Sequence, residues 1–220
     1  MTKIRLAFSP CPNDTFVFDA IVNRRIDLEG LTFVHEMHDV ETLNHMALKG
    51  SVDVIKVSYH TYLYLRQNFN ILDSGGAFGV GNGPLLVGKT VFTPEEMADL
   101  TIAIPGEYTT ANLLLKLAYP EIVKKKIIVF SEIEKAILSG EVDGGVIIHE
   151  SRFTYEQKGL KKTADLGKYW ESLMECPVPL GGIVARKGLG YDRINKLNRI
   201  LFRSVQYAMK HPHEAMPFVR

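Results

Sequence analysis

The sequence is poor in cysteine, in net charge and in long apolar runs. Two of its 220 residues are cysteine, Cys11 and Cys176, far apart and each beside a proline. Such spacing excludes a disulfide framework and a CxxC metal site. Net charge is +1, so no overall field draws the chain to nucleic acid or to an anionic membrane. The nearest basic run, Lys124-Lys125-Lys126, lies between a helix-like stretch and IIVF and reads as a solvated helix end. No stretch approaches the ~18 apolar residues of a membrane span. The N-terminal MTKIRLAFSPCPNDTF has no apolar h-region and no small-residue cleavage site, and it enters a strand at once. Together these absences point to a reducing, cytoplasmic protein.

What is present is a core and a rhythm. Hydrophobic residues make up 46% of the chain and charged residues 23%, as in ordinary globular proteins. IRLAFS (4–9), LTFVHEM, DVIKVS (53–58), PLLVGK (84–89), TIAIP (101–105), KIIVF (126–130), GGVIIHE and GGIVARKG (181–188) read as strands. Between them lie helix-like stretches. Asp14 to Asn23 is expected to be capped by Asn13. VETLNHMALKG is expected to end at Gly50. TYLYLRQ, TTANLLLKLAY (109–119), SEIEKAILSG (131–140) and a long helix from Tyr191 to Lys210 follow. This alternation predicts an α/β fold with mixed sheets flanked by helices.

One internal echo organises the chain. ALKGSVDVIKVSYH (47–60) and ILSGEVDGGVIIHE (137–150) superpose without gaps as Leu-x-Gly-x-Val-Asp. Each copy ends a strand–helix–strand run of similar length. The echo predicts two similar α/β lobes, one of residues 1–88 plus 181–220 and one of residues 89–180. In open α/β sheets, ligands sit beyond the carboxyl ends of strands, so a cleft between the lobes would collect those ends.

The strand ends are polar. They carry Ser9 and Asn13 in the 9–15 loop, Lys56 and Ser58, Thr109 and Thr110, and His149-Glu150-Ser151-Arg152. Helix-start N–H groups suit a carboxylate or phosphate, and a lysine could neutralise one. The glycine-rich FGVGNGPLL (78–86) permits close backbone approach but lacks P-loop spacing. Each group also has a plain structural reading. Thr109-Thr110 caps a helix, Ser58 bonds its own backbone, Lys56 snorkels to water, and Cys11 is a small buried residue. His35 and His38 lack HExxH spacing and make a metal site improbable; His211 and His213 read as exposed, and His60 faces either a cleft or a helix start. His149, at the end of a buried strand, is either a general base or a hydrogen-bonding ligand.

Six motifs in order carry a resemblance: FSPCPNDTF (8–16), DVETLN (39–44), GNGPLLV (81–87), PGEYTTA (105–111), IIHESRFTY (147–155) and PVPLGGIVAR (177–186). Together they resemble the 1,4-dihydroxy-6-naphthoate synthase family of menaquinone biosynthesis through futalosine. The resemblance runs from residue 4 to the end. It implies a two-lobed fold of the type II periplasmic-binding-protein kind, with a ligand cleft between the lobes. It implies a carbon–carbon lyase that converts cyclic dehypoxanthine futalosine to 1,4-dihydroxy-6-naphthoate, with no metal or organic cofactor. The substrate is then a small-molecule carboxylate, and a homodimer is plausible. His149 matches the family's proposed base. Lys56, Val57 and Ser58, with Thr109 and Thr110, match substrate-contacting stretches, and Ser9, Asn13 and Arg152 are further candidates. The family continues past Pro217-Phe218-Val219-Arg220, so the first lobe is expected to lack its last helices. Two alternatives remain: a cytoplasmic receptor for a small carboxylate without chemistry, and the sibling enzyme that dehydrates chorismate.

Overall fold

A computed structural model describes residues 2–219. The chain forms two compact units; the first runs to Ala77 and resumes at Gly181, and the second is Phe78–Leu180. The first boundary thus precedes the one expected after residue 88. The reason is the strand Leu85–Gly88, which hydrogen-bonds inside the second unit's sheet.

In the first unit the chain lays down β1 (Thr2–Phe8), α1 (Pro12–Val22), β2 (Leu31–Met37), α2 (Val40–Leu48), β3 (Val54–Ser58), α3 (Tyr59–Leu65) and β4 (Phe69–Ile71). β5 (Ala77–Gly79) stands at the division. In the second unit follow β6 (Leu85–Gly88), β7 (Ile102–Ile104), α4 (Thr110–Ala118), β8 (Lys125–Ile127), α5 (Ile133–Ser139), β9 (Gly144–Ile147), α6 (Ser151–Thr154), β10 (Lys161–Asp165) and α7 (Leu166–Met174). β11 (Val178–Arg186) then leads back to the first unit, which α8 (Tyr191–Lys210) and α9 (Pro212–Val219) complete.

Each unit has its own sheet, and the two sheets share one plan. The first reads β2-β1-β3-β11-β4, with β5 as a sixth strand also paired to β11, and the second β8-β7-β9-β6-β10. In both five-strand orders, the first two pairings are parallel and the last two antiparallel, so only the fourth strand runs against the rest. The sequence echo is the hinge of this plan. Gly50 (φ +65°) and Gly140 (φ +79°) take the left-handed conformation that ends α2 and α5. Val52 and Val142 are buried behind them. Asp53 then accepts the Arg5 N–H at 2.9 Å, and Asp143 accepts the Thr101 N–H at 2.8 Å. Each aspartate thereby fixes the register of the neighbouring parallel strand.

Alternation along the strands sorts side chains to two faces. Ile4, Leu6 and Phe8 pack with Phe18 and Ile21 of α1 and Leu197, Ile200 and Leu201 of α8. Ala7, Ile55 and Val57 pack on the other face with Leu43, Ala47 and Phe69. The second sheet is likewise covered on both faces, with Ile102, Ile104, Leu114 and Leu115 on one and Ala103, Ile133 and Ile137 on the other. Burial on both faces explains why these strands read as continuous apolar runs. Each fully buried large side chain contributes about 1.5–3 kcal/mol.

Two expectations change in detail. The α1 N-cap is Cys11, with Pro12 inside the first turn, so Asn13 is a helical residue and exposed. Proline fits there because its missing N–H would have no helical acceptor. β10 and the α7 that follows it lie outside the strands and helices expected from the sequence, because KKTAD carries little apolar signal for a strand.

Candidate functional site

The polar strand ends of the first unit are tied into two hydrogen-bonded groups. Lys56, on β3, is nearly buried, and its Nζ donates to Asp14 Oδ1 at 2.8 Å and to the Gly75 carbonyl at 3.2 Å. Asp14 Oδ2 accepts from Ser9 Oγ at 2.7 Å and from Ser9 N–H at 3.2 Å. Lys56 therefore does not snorkel to water, and its charge is already matched by a carboxylate. An ammonium has three N–H donors, so one stays available for a ligand. Ser9 turns its hydroxyl to Asp14, which the sequence reading had not singled out. Its signal was an acid one turn into an apolar helix face.

Ser58 is held through Asn44 of α2, which is fully buried. Asn44 Oδ1 accepts the Ser58 N–H at 3.0 Å, and Asn44 Nδ2 donates to Ser58 Oγ at 3.4 Å and to Glu41 Oε2 at 3.0 Å. With Ser58 Oγ accepting, its own O–H is the donor left for another acceptor. Val57 points into the core with Leu43 and Ile55, so only its backbone can meet a ligand. His60 is buried, with its ring 5.7 Å from that of Tyr64.

In the second unit, Thr109 is the α4 N-cap. Its Oγ1 accepts from Asn112 N–H at 3.3 Å and donates to the Gly106 carbonyl at 2.8 Å. Thr110 Oγ1 faces the Pro179 and Leu180 carbonyls, each at 3.1 Å. Both hydroxyls are thus engaged in structure. Helix geometry leaves the Thr110 and Ala111 N–H groups without an intrahelical acceptor, and these are the donors α4 offers to an anion.

His149 differs from its expected setting. β9 ends at Ile147, and His149 lies in an exposed turn with φ +56°, a left-handed conformation uncommon for a residue with Cβ. Its ring lies 5.2 Å from that of Phe130, tilted by 59°. The turn, and not a continuing strand, therefore sets where its side chain stands.

Arg152 is not a free ligand donor. Its guanidinium donates to Asp165 Oδ2 at 2.6 Å, to the Gly81 carbonyl at 2.9 Å and to the Gly83 carbonyl. Burial opposes ionisation of Asp165, but the hydrogen bonds from Arg152 and from the Lys168 N–H outweigh it and hold its carboxyl below the usual range. The glycine-rich turn is held in the same way, with Gly81 N–H donating to Glu171 Oε1 at 2.7 Å. At Gly83 the requirement for glycine is internal. A Cβ there would stand 2.5 Å from Gly167 Cα. His35 lies by Phe8 with ring centroids 5.9 Å apart, and His38 Nε2 meets Glu36 Oε2 at 3.1 Å.

Two mixed sheets, each with helices on both faces and polar groups at the carboxyl ends of its strands, have the periplasmic-binding-protein-like fold. The alkanesulfonate-binding protein SsuA of Xanthomonas axonopodis pv. citri shares the fold at TM-score 0.72 and 11% identity, over 100% of this chain and 78% of that one. The sequence matches the family described as menaquinone biosynthesis over residues 4–220, and the chain belongs to that family. A protein of Thermus thermophilus named 1,4-dihydroxy-6-naphthoate synthase is 43% identical over 220 residues, covering 100% of this chain and 79% of the relative. A protein of the same name from Streptomyces coelicolor is 41% identical, over 98% of this chain and 77% of its own length. A crystallised protein of Archaeoglobus fulgidus superposes at TM-score 0.91 with 36% identity, over 99% of this chain and 80% of its own.

Proposed function

We propose that this chain is a 1,4-dihydroxy-6-naphthoate synthase, a carbon–carbon lyase of menaquinone biosynthesis acting in the cytoplasm on cyclic dehypoxanthine futalosine. The observation that carries the reading is the 43% identity with a relative of that name along the whole of this chain. No helix among the described residues is long and apolar enough to cross a membrane.

His149 is the proposed base. Imidazole works as a base near neutral pH without a metal or organic cofactor. It takes the acidic C–H proton beside the substrate carbonyl, and the electron pair moves to the oxygen as an enolate. Elimination and retro-aldol steps then release the sugar-derived fragment and aromatise the ring. The remaining Lys56 N–H, the Ser58 hydroxyl and the first-turn N–H groups of α4 are donors of the kind that hold a carboxylate or a developing oxyanion.

The test is to incubate the protein with cyclic dehypoxanthine futalosine and follow the naphthoate by chromatography and mass. Product above the uncatalysed rate is expected, and His149→Asn is expected to abolish it while substrate still binds. Substrate that protects the protein against thermal unfolding but is recovered unchanged would instead mark a receptor. Turnover of chorismate would mark the sibling enzyme.

A further inference from the structure

His149 is exposed and conformationally unusual, yet a base must be held within a fraction of an ångström of its proton. The residues that immediately follow it are tied down from two directions. From α5, Glu134 Oε2 accepts from Ser151 Oγ at 3.2 Å and from Lys158 Nζ at 2.6 Å. Ser151 opens α6, and Lys158 ends the 3-10 turn Tyr155–Lys158. One carboxylate thus grips both ends of the segment that begins two residues after His149. From the other direction, Arg152 is clasped by Asp165 of β10 and by two carbonyls of the 81–83 loop.

Glu134 is an expensive way to hold a surface segment. It is 5% exposed, and its Oε1 is buried with no hydrogen-bond partner. Burying a carboxylate with one oxygen unpaired works against stability. Its neighbours Ile133 and Ile137 belong to the apolar core, so for packing alone an aliphatic side chain would serve better.

From this we infer that Glu134 and Ser151 are positioning residues that hold His149 for catalysis, in a turn that Arg152 anchors from its other side. The inference rests on the reading of His149 as the base. Neither residue need touch the substrate. Their effect travels through the backbone of residues 149–152, where Arg152 N–H also bonds the His149 carbonyl at 3.3 Å.

The test compares Ser151→Ala, Glu134→Gln, Glu134→Ala and His149→Asn by kcat, KM and thermal midpoint on the same substrate. Ser151→Ala removes one oxygen and leaves the core intact, so it stays informative if Glu134→Ala folds poorly. A fall in kcat of about tenfold is expected for Ser151→Ala and Glu134→Ala, with KM within about twofold and the loss unchanged after correction for folded protein. Glu134→Gln keeps an acceptor for Ser151 and is expected to recover most of the loss. If His149→Asn is dead but Ser151→Ala and Glu134→Ala keep wild-type kcat, the positioning role is overturned alone. A rise in KM without a fall in kcat overturns it too. Turnover by His149→Asn overturns the base itself, and this inference with it.

Discussion

Lys56 Nζ lies 2.8 Å from Asp14 Oδ1, in a pair whose side chains keep only 11% and 6% of their surface in water. The contact joins the middle of β3 to the first turn of α1, and so ties β3 to the helix that follows β1. It also shapes the strand beside it. A Cβ at Gly181 of β11 would stand 3.2 Å from Lys56 Cε and 2.9 Å from the Val57 carbonyl oxygen. Glycine at 181 therefore makes room first for the Val57 carbonyl and then for the lysine stem.

Removing one partner of a buried pair strands the other charge away from water. Asp14→Ala is expected to cost about 3–5 kcal/mol, since Lys56 keeps only the Gly75 carbonyl. Replacing both, as Asp14→Leu with Lys56→Met, is expected to cost far less than the single change. Urea unfolding midpoints of the three proteins check this. A double variant as unstable as Asp14→Ala would show that the charges are not the source of the loss.

Gly83 and Gly167 touch backbone to backbone. A Cβ on the first meets Gly167 Cα at 2.5 Å, and one on the second meets Gly83 Cα at 2.7 Å. Neither contact can be relieved by turning a side chain. Gly83→Ala and Gly167→Ala are each expected to destabilise by about 1–3 kcal/mol. Gly159→Ala serves as a control for added volume, because its Cβ would meet nothing within 4 Å. Its own φ of +81° still disfavours a side chain, so the control reads strain without overlap. Equal losses at all three positions would remove overlap as the cause.

Much of this fold was legible in the sequence for a simple reason. Strands buried on both faces leave continuous apolar runs, and the Gly-x-Val-Asp echo marks the same glycine cap, buried valine and register-fixing aspartate in both units. α8 was readable end to end, with Ile194, Leu197, Ile200, Leu201, Ser204 and Ala208 buried at helical spacing. The first unit boundary was not readable, because strand pairing at Leu85–Gly88 is a tertiary choice that a local apolar run does not encode. At the candidate site, residue positions were legible but partners were not. Arg152 and Ser9 look alike as available donors until Asp165 and Asp14 are seen to accept from them. Glu134 lies fifteen positions before His149 and carried no sequence signal beyond an acid on a helix.

Glu29 gives the first unit an acid-sensitive clamp. Its carboxyl sits at about 2, against an ordinary 4.5, chiefly because Arg199 donates a hydrogen bond to it; burial opposes this and Arg203 adds to it. Arg199 Nη2 and Arg203 Nη2 lie 2.5 Å and 2.9 Å from its oxygens, tying the 27–29 loop to α8. A carboxyl lowered in the folded state stabilises above its unfolded value and ceases to as pH falls through the folded one. Glu29→Gln is therefore expected to lower the thermal midpoint at pH 7, and the gap to wild type is expected to narrow between about pH 4.5 and 2. A gap that stays constant down to pH 2 would mean the charge of Glu29 is not what Arg199 and Arg203 respond to.

If His149 is the base proposed above, it sets stability against activity within one residue. Its φ of +56° places a side chain where Cβ crowds the following carbonyl, at roughly 1–2 kcal/mol for a residue with Cβ. Glycine adopts this conformation freely, and asparagine more readily than most residues. The larger backbone entropy of glycine in the unfolded chain offsets part of the relief, by about 0.5–1 kcal/mol. His149→Gly and His149→Asn are therefore expected to keep or slightly raise the thermal midpoint while losing turnover. Strain retained at a position where two other residues relieve it is hard to account for by folding alone. It is accounted for if the imidazole is needed there. A clear drop in the midpoint of both variants would mean that the ring contact with Phe130, and not catalysis, keeps histidine at this turn.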